Sequence, residues 1–174
     1  KAIILTDTIG SASDLRSLDA VTIGDINASS ITTLTGLIAD INYAYASTHI
    51  TGKGNEAIIF SDTTVTATKL NTLDNNTTGA IDASTVMTIT GTVAEINAAY
   101  ASNGITGLGN EAVTIVDTTL MASILNALDG NTEGIVNAAS VNTLTGTASA
   151  INAAYASNGI TGLGDEDVTI SNAP

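Results

Sequence analysis

Apolar and polar residues alternate along short runs of this chain and recur at helical spacing in the stretches between them. Ala112 to Val116, Ile81 to Ser84 and Val86 to Thr90 are short and rich in Val, Ile and Thr, and predict strands. From Thr92 the period changes. Thr92 and Glu95 stand in capping-box order, a hydroxyl that takes a free helix N–H and a carboxylate that reaches back. Val93, Ile96 and Tyr100 then share one helical face, and Asn103-Gly104, which tolerate the left-handed conformation, predict its end. Leu37 to Ala46 and Ala148 to Ala156 repeat this helix, although Ala150 replaces the acid in the last copy. A shorter helix is predicted from Ala67 to Leu73, burying Leu70 and Leu73. Two or three turns are marginal alone, so these helices need packing partners.

The pattern is a tandem repeat of 55 residues. Leu15, Leu70 and Leu125 correspond, as do Asp19, Asp74 and Asp129, and Tyr45, Tyr100 and Tyr155. The run from Asn97 to Gly109 recurs unchanged from Asn152 to Gly164. Units 1–55, 56–110 and 111–165 are followed by a partial fourth, 166–174, with no insertion or deletion between them. Within a unit a weaker similarity, between the segments from Ala80 and from Ala112, implies two coils of unequal length, about 23 and 32 residues. Strand before helix before strand favours parallel, right-handed crossovers. The expected fold is therefore an α/β repeat in one domain, 1–174. It is a right-handed strand–helix solenoid, that is, a parallel β-solenoid with short helices and two coils per unit. The glycine sets Gly36/Gly91/Gly146, Gly52/Gly107/Gly162 and Gly54/Gly109/Gly164 mark its corners. A propeller blade is the rival for a period of this length, but it lacks a place for the helices.

Composition sharpens the picture. Aromatic residues make up only 3% of the chain, so the interior is built from Ala, Val, Ile, Leu and Thr, which suit thin stacked layers. Four basic residues face 17 acidic ones, a formal charge of −13. Phosphate backbones need Lys and Arg, so nucleic acid is excluded as a partner, and anionic membrane surfaces are disfavoured for the same reason. No apolar run reaches the roughly 18 residues of a membrane span. Cysteine is absent, which removes disulfides and thiolate metal sites. Lys1 at the start and the lack of a leader-like segment suggest a fragment or a processed chain.

Candidate chemistry is sparse. His49, the sole histidine, belongs to one copy, with Asn103 and Asn158 read as its counterparts. No nucleophile motif or metalloprotease helix is present, and the expectation is a chain that is not an enzyme. Calcium is the better chemical proposal. Asp129, Asn131 and Glu133 place oxygen donors at alternate positions before Gly134, like the opening of a calcium loop, and Asp74 and Asn76 keep part of that pattern. The bidentate acid at the twelfth position is missing, and the structural alternative is that these residues only form turns. Acidic ladders (Asp7/Asp62/Asp117 and Glu56/Glu111/Glu166) pose the same question, because stacked like charges repel unless separated, screened or bridged by metal. The Asn42/Asn97/Asn152 set is expected to stack its amides along the repeat, and the Tyr45 set to point its hydroxyls at solvent or backbone. Thr-x-Thr pairs (Thr33/Thr35, Thr88/Thr90, Thr143/Thr145) match the arrays of some ice-binding surfaces, or else β-propensity and helix capping.

The strings LNTLD, IDAST and TGTVAEINAAYASNGITGLGNEAVTI resemble the tandem repeats of giant acidic, Thr-rich cell-surface and secreted proteins of bacteria, notably marine cyanobacteria. The resemblance covers essentially the whole chain. It implies an extracellular or cell-surface role as a shaft, surface layer, adhesin or filament, often with calcium. The partner expected is the chain itself, end to end, or the neighbouring repeats of a longer protein. The alternative is an adhesin that grips sugar or ice, with or without calcium, through one face.

Overall fold

The computed structural model describes residues 2–171. The chain opens with β1 (Ile3–Ile4), β2 (Ile9–Ser11), α1 (Ala12–Val21), β3 (Ile26–Asn27), β4 (Thr33–Gly36), α2 (Ile38–Ala46), β5 (Ile50–Thr51) and β6 (Ala57–Phe60). It continues through β7 (Thr64–Thr66), α3 (Ala67–Asn76), β8 (Ile81–Asp82), β9 (Thr88–Gly91), α4 (Val93–Ala101), β10 (Ile105–Thr106) and β11 (Ala112–Ile115). The last copy gives β12 (Thr119–Met121), α5 (Ala122–Asp129), β13 (Val136–Asn137), β14 (Thr143–Gly146), α6 (Ala148–Ala156), β15 (Ile160–Thr161) and β16 (Asp167–Ile170).

Every strand pair among the described residues is parallel. Parallel pairing demands a crossover, and the short helices supply it. That rules out the propeller, whose blades are antiparallel meanders. Partners lie 24 or 23 residues apart: Ile9 against Thr33, Thr33 against Ala57, Ile58 against Ile81. Two steps of 24 fall seven residues short of the 55-residue period. The extra residues sit where two strands follow one another with no helix between them, as in β6 then β7 and β11 then β12. Coil steps are thus nearly equal, in place of the unequal 23 and 32 expected.

Contacts divide the chain into two compact units. Residues 2–63, 69–85 and 102–107 form the first, which holds the three-stranded sheet β1-β3-β5 and the five-stranded sheet β10-β8-β6-β4-β2. Its core is a set of fully buried Ile and Leu residues (Ile26, Leu34, Ile41, Ile58, Leu70, Leu73, Ile81) with the sole phenylalanine, Phe60. Residues 64–68, 86–101 and 108–171 form the second, with sheets β15-β13-β11-β9-β7 and β12-β14-β16. Ile89, Ile96, Val113, Ile115, Leu125, Leu128, Val136 and Leu144 fill its interior. In each, small helices pack side by side, α1 on α2 and α5 on α6.

Local chemistry explains the helix limits. At α4 the capping box forms as expected: Glu95 N–H donates to Thr92 Oγ1 at 3.3 Å, and Thr92 N–H to Glu95 Oε2 at 3.0 Å. The buried face is Val93, Ile96 and Ala99, with Tyr100 half-buried beside it. Asn103-Gly104 do not adopt the left-handed conformation; among the described residues positive φ is confined to the nine corner glycines. The equivalent helices α2 and α6 end instead on extended Ser47 and Ser157. No helix among the described residues is long and apolar enough to cross a membrane.

Candidate functional site

Most repeated polar side chains hold one coil to another. Asp62 Oδ2 accepts from Ile38 N–H at 2.8 Å, and Asp117 Oδ2 from Val93 N–H at 2.8 Å. Each carboxylate thus caps the first turn of a helix 24 residues earlier, where free N–H groups and the helix dipole favour an anion. The acidic ladder is a ladder of remote caps. Asn172, at the matching sequence position, lies outside the described residues. Asp117→Ala should cost about 1 kcal/mol, or about 3 °C in melting temperature, and Asp117→Asn should keep most of it. Thermal unfolding of the three proteins checks this; equal losses in both variants would point to the charge instead of the cap.

The Tyr and Glu sets belong to one network. Tyr45 O–H donates to Glu56 Oε2 at 2.7 Å, while Gly54 N–H donates to the same oxygen at 2.9 Å. In the second copy Tyr100 donates to Glu111, which also takes Gly109 N–H at 2.9 Å and Asn110 N–H at 3.2 Å. Tyr155, Glu166 and Gly164 repeat it. The hydroxyls therefore meet carboxylates, not solvent or backbone as expected. Glu56 and Glu111 are each only 1% exposed. Burial, followed by the adjoining carboxylate, raises the phenols of Tyr45 and Tyr100 far above their ordinary range.

The residues of the proposed calcium loops are spent in similar ways. Asp74 Oδ2 accepts from Ser102 Oγ at 2.8 Å, and Asp129 Oδ2 from Ser157 Oγ at 2.7 Å. Each ties the end of one helix to the end of the next. Asn131 Nδ2 donates to Asn97 Oδ1 at 2.9 Å, so Asp129 and Asn131 turn to different partners. Asn76 closes α3, and Glu133 contributes its backbone N–H to Gly109 O at 2.7 Å. No group of three or more His, Asp or Glu side chains converges among the described residues.

Two other expectations change. The Asn42 set does not pair amide to amide: Asn42 Nδ2 donates to Lys69 O at 3.1 Å, whereas Asn97 receives the side chain of Asn131. In the Thr-x-Thr pairs the second hydroxyl turns to backbone in all three copies, from Thr35 to Gly10 O, Thr90 to Val65 O and Thr145 to Leu120 O.

Against this regular background the first copy departs from the others at one place. Ile50, Ile105 and Ile160 share a repeat position, so His49 matches Gly104 and Gly159, not the neighbouring Asn103 and Asn158. Tyr43 stands where the other copies have Ala98 and Ala153, and Arg16 where they have Asn71 and Asn126. All three meet around Asp19. Asp19 Oδ2 accepts from Ser47 Oγ at 2.9 Å and from Tyr43 O–H at 3.0 Å. His49 Nδ1 lies 3.4 Å from Oδ1, and the Arg16 guanidinium covers the Tyr43 ring at 5.0 Å while pairing with Asp40 at 2.7 Å. Asp19, Tyr43, Ala46, Ser47, Thr48 and His49 line an open recess of about 410 Å³. Burial pushes the Asp19 carboxyl up, but the Ser47 and Tyr43 hydroxyls and His49 together bring it below its usual value. Its share of stability is therefore present at neutral pH and lost as pH falls through the lowered value.

The fold and its lateral networks define a tandem strand–helix repeat protein. No family model matches the chain, and no curated protein and no solved structure shows significant similarity to it.

Proposed function

We propose that this chain is a non-enzymatic structural repeat of the bacterial cell surface or exterior, a building block of a shaft, surface layer or filament. The observation that carries this reading is where the repeated polar groups go. Asp62 and Asp117 cap helices across coils, Asp74 and Asp129 tie helix ends together, and the Tyr–Glu–Gly network recurs in all three copies. Side chains occupied in this way set the spacing of a stack and leave little for turnover of a substrate. The 24- and 23-residue register supports two coils per 55-residue unit, and the general preference for right-handed crossovers gives its hand.

The partner is another repeat, in a second copy or in the same polypeptide. Strand β16 pairs with β14 alone and exposes Val168 and Ile170, and β1 pairs with β3 alone and exposes Ile4. Edges of this kind accept a further parallel strand. The test is a series of concatemers carrying three, six and nine units, examined by small-angle scattering and electron microscopy. The expected result is a maximum dimension that grows by about 10 Å per unit, two inter-strand spacings. Growth as the cube root of mass would sink the reading.

A further inference from the structure

The departures of the first copy from the repeat are concentrated around Asp19, and there the chain has the parts of a metal site that its other copies lack. The Asp19 side chain is only 6% exposed, yet Oδ1 has no hydrogen-bond partner. A buried carboxylate oxygen left unpaired is costly, and that cost is ordinarily offset by a donor or a cation. The nearest candidate, His49 Nδ1, stands 3.4 Å away, beyond the usual range of an N–H···O hydrogen bond. That separation fits another arrangement. With Zn–N and Zn–O bonds of about 2.0–2.2 Å, two ligands on one tetrahedral ion lie about 3.4 Å apart. The same bonds at the right angles of octahedral or square-planar ions would place them only about 2.9 Å apart.

We propose that Asp19 Oδ1 and His49 Nδ1 are two ligands of a tetrahedral divalent cation of the zinc class, with water completing its coordination from the open recess. The surrounding side chains act as the outer shell of such a site. Tyr43 and Ser47 both donate to Oδ2, which fixes the carboxylate and presents Oδ1 to the recess. The nearby cations are otherwise engaged: Arg16 pairs with Asp40, and Lys53 is turned to the carbonyls of Ala44 and Ser47. The second and third copies cannot build the site. A Cβ at Gly104 or Gly159 would collide with Oδ1 of Asp74 or Asp129, so no side chain fits there, whereas the first copy has room for an imidazole. Imidazole nitrogen also selects against calcium and magnesium, which take oxygen. The inference does not depend on the structural role proposed above.

Because the chain has a single histidine, its imidazole signals report this site alone. Zinc chloride titrated into nitrogen-15-labelled protein at neutral pH should move the Nδ1 resonance to a metal-bound position, saturably, while calcium chloride leaves it in place. Asp19→Asn should weaken zinc binding by about tenfold or more, and Asp74→Asn should leave it unchanged. His49→Asn, a change at an exposed side chain, should abolish the calorimetric signal without altering the fold. The proposal fails if Nδ1 does not respond at millimolar zinc. It also fails if zinc engages Nε2, or if Asp19→Asn binds as tightly as the parent, since an exposed histidine alone would do either.

Discussion

Gly107→Ala should destabilise the protein by about 3 kcal/mol, a fall of about 9 °C in melting temperature. Two costs combine. Gly107 has φ of +84°, in the left-handed region that a Cβ disfavours. A Cβ there would also stand 2.7 Å from the backbone nitrogen of Ser84, where neither partner is a flexible tip that can swing aside. Two further glycines separate these contributions. Gly164 has φ of +136° but a Cβ there would meet nothing within 4 Å, so Gly164→Ala carries the backbone cost only and should lose about 1 kcal/mol. Gly130 closes α5 at φ −71° with its nearest neighbour 3.5 Å away. Gly130→Ala should leave stability unchanged or raise it by about 0.5 kcal/mol through the unfolded chain. Urea or thermal unfolding of the three variants reads the order directly. A Gly107→Ala protein that melts with the parent would mean that the corner is not rigid.

These corners are legible in the repeat itself, because glycine recurring at one repeat position has few other reasons to be there. All nine glycines of the three sets have positive φ. The longer helices are legible for a similar reason: Thr92 and Glu95 announce a helix start, and the box forms. The two-residue strands β5, β10 and β15 are not. Ile-Thr before a glycine carries no period, and pairing with β3, β8 and β13 makes them strands. The three-residue strands β2, β7 and β12 are hidden in stretches whose local pattern reads only as Thr-rich.

The polar sets show a different limit. Equivalent residues 55 apart suggest ladders of like with like, amide on amide and acid on acid. Strand register advances by 24 or 23 residues, so the groups that meet come from different repeat positions: Asp62 with the N-terminus of α2, Asp74 with Ser102. The period along the sequence is not the period in space. A coil length taken from strand register reveals these pairs, and the repeat alone does not. The recess around Asp19 is harder still. Setting His49 against Asn103 and Asn158 is an error of one residue, and it hides the glycine that stands at the true position in both other copies.

Tyr100→Phe should cost about 2 kcal/mol, and Glu111→Ala about 3 kcal/mol or more. The first removes one hydrogen bond to a charged acceptor that is 1% exposed. The second leaves the Tyr100 hydroxyl and the N–H groups of Gly109 and Asn110 without their acceptor, in a place water does not reach. Tyr155→Phe should cost clearly less, because Tyr155 is 45% exposed and water can replace it. The order of the three, read by urea unfolding, distinguishes a buried network from a merely repeated one. The same bond gives a pH dependence of definite sign. Burial and the carboxylate raise the Tyr45 and Tyr100 phenols in the folded chain above the unfolded value of about 10, so the fold favours the protonated form. Their stabilisation is complete below about pH 10 and declines as pH climbs from there toward the raised folded values. Melting temperature should therefore hold level from about pH 8 to about 9.5 and then fall, with a shallower fall in a Tyr45→Phe/Tyr100→Phe protein. An unchanged alkaline slope in that double variant would place the loss in other groups and remove the phenols from the account.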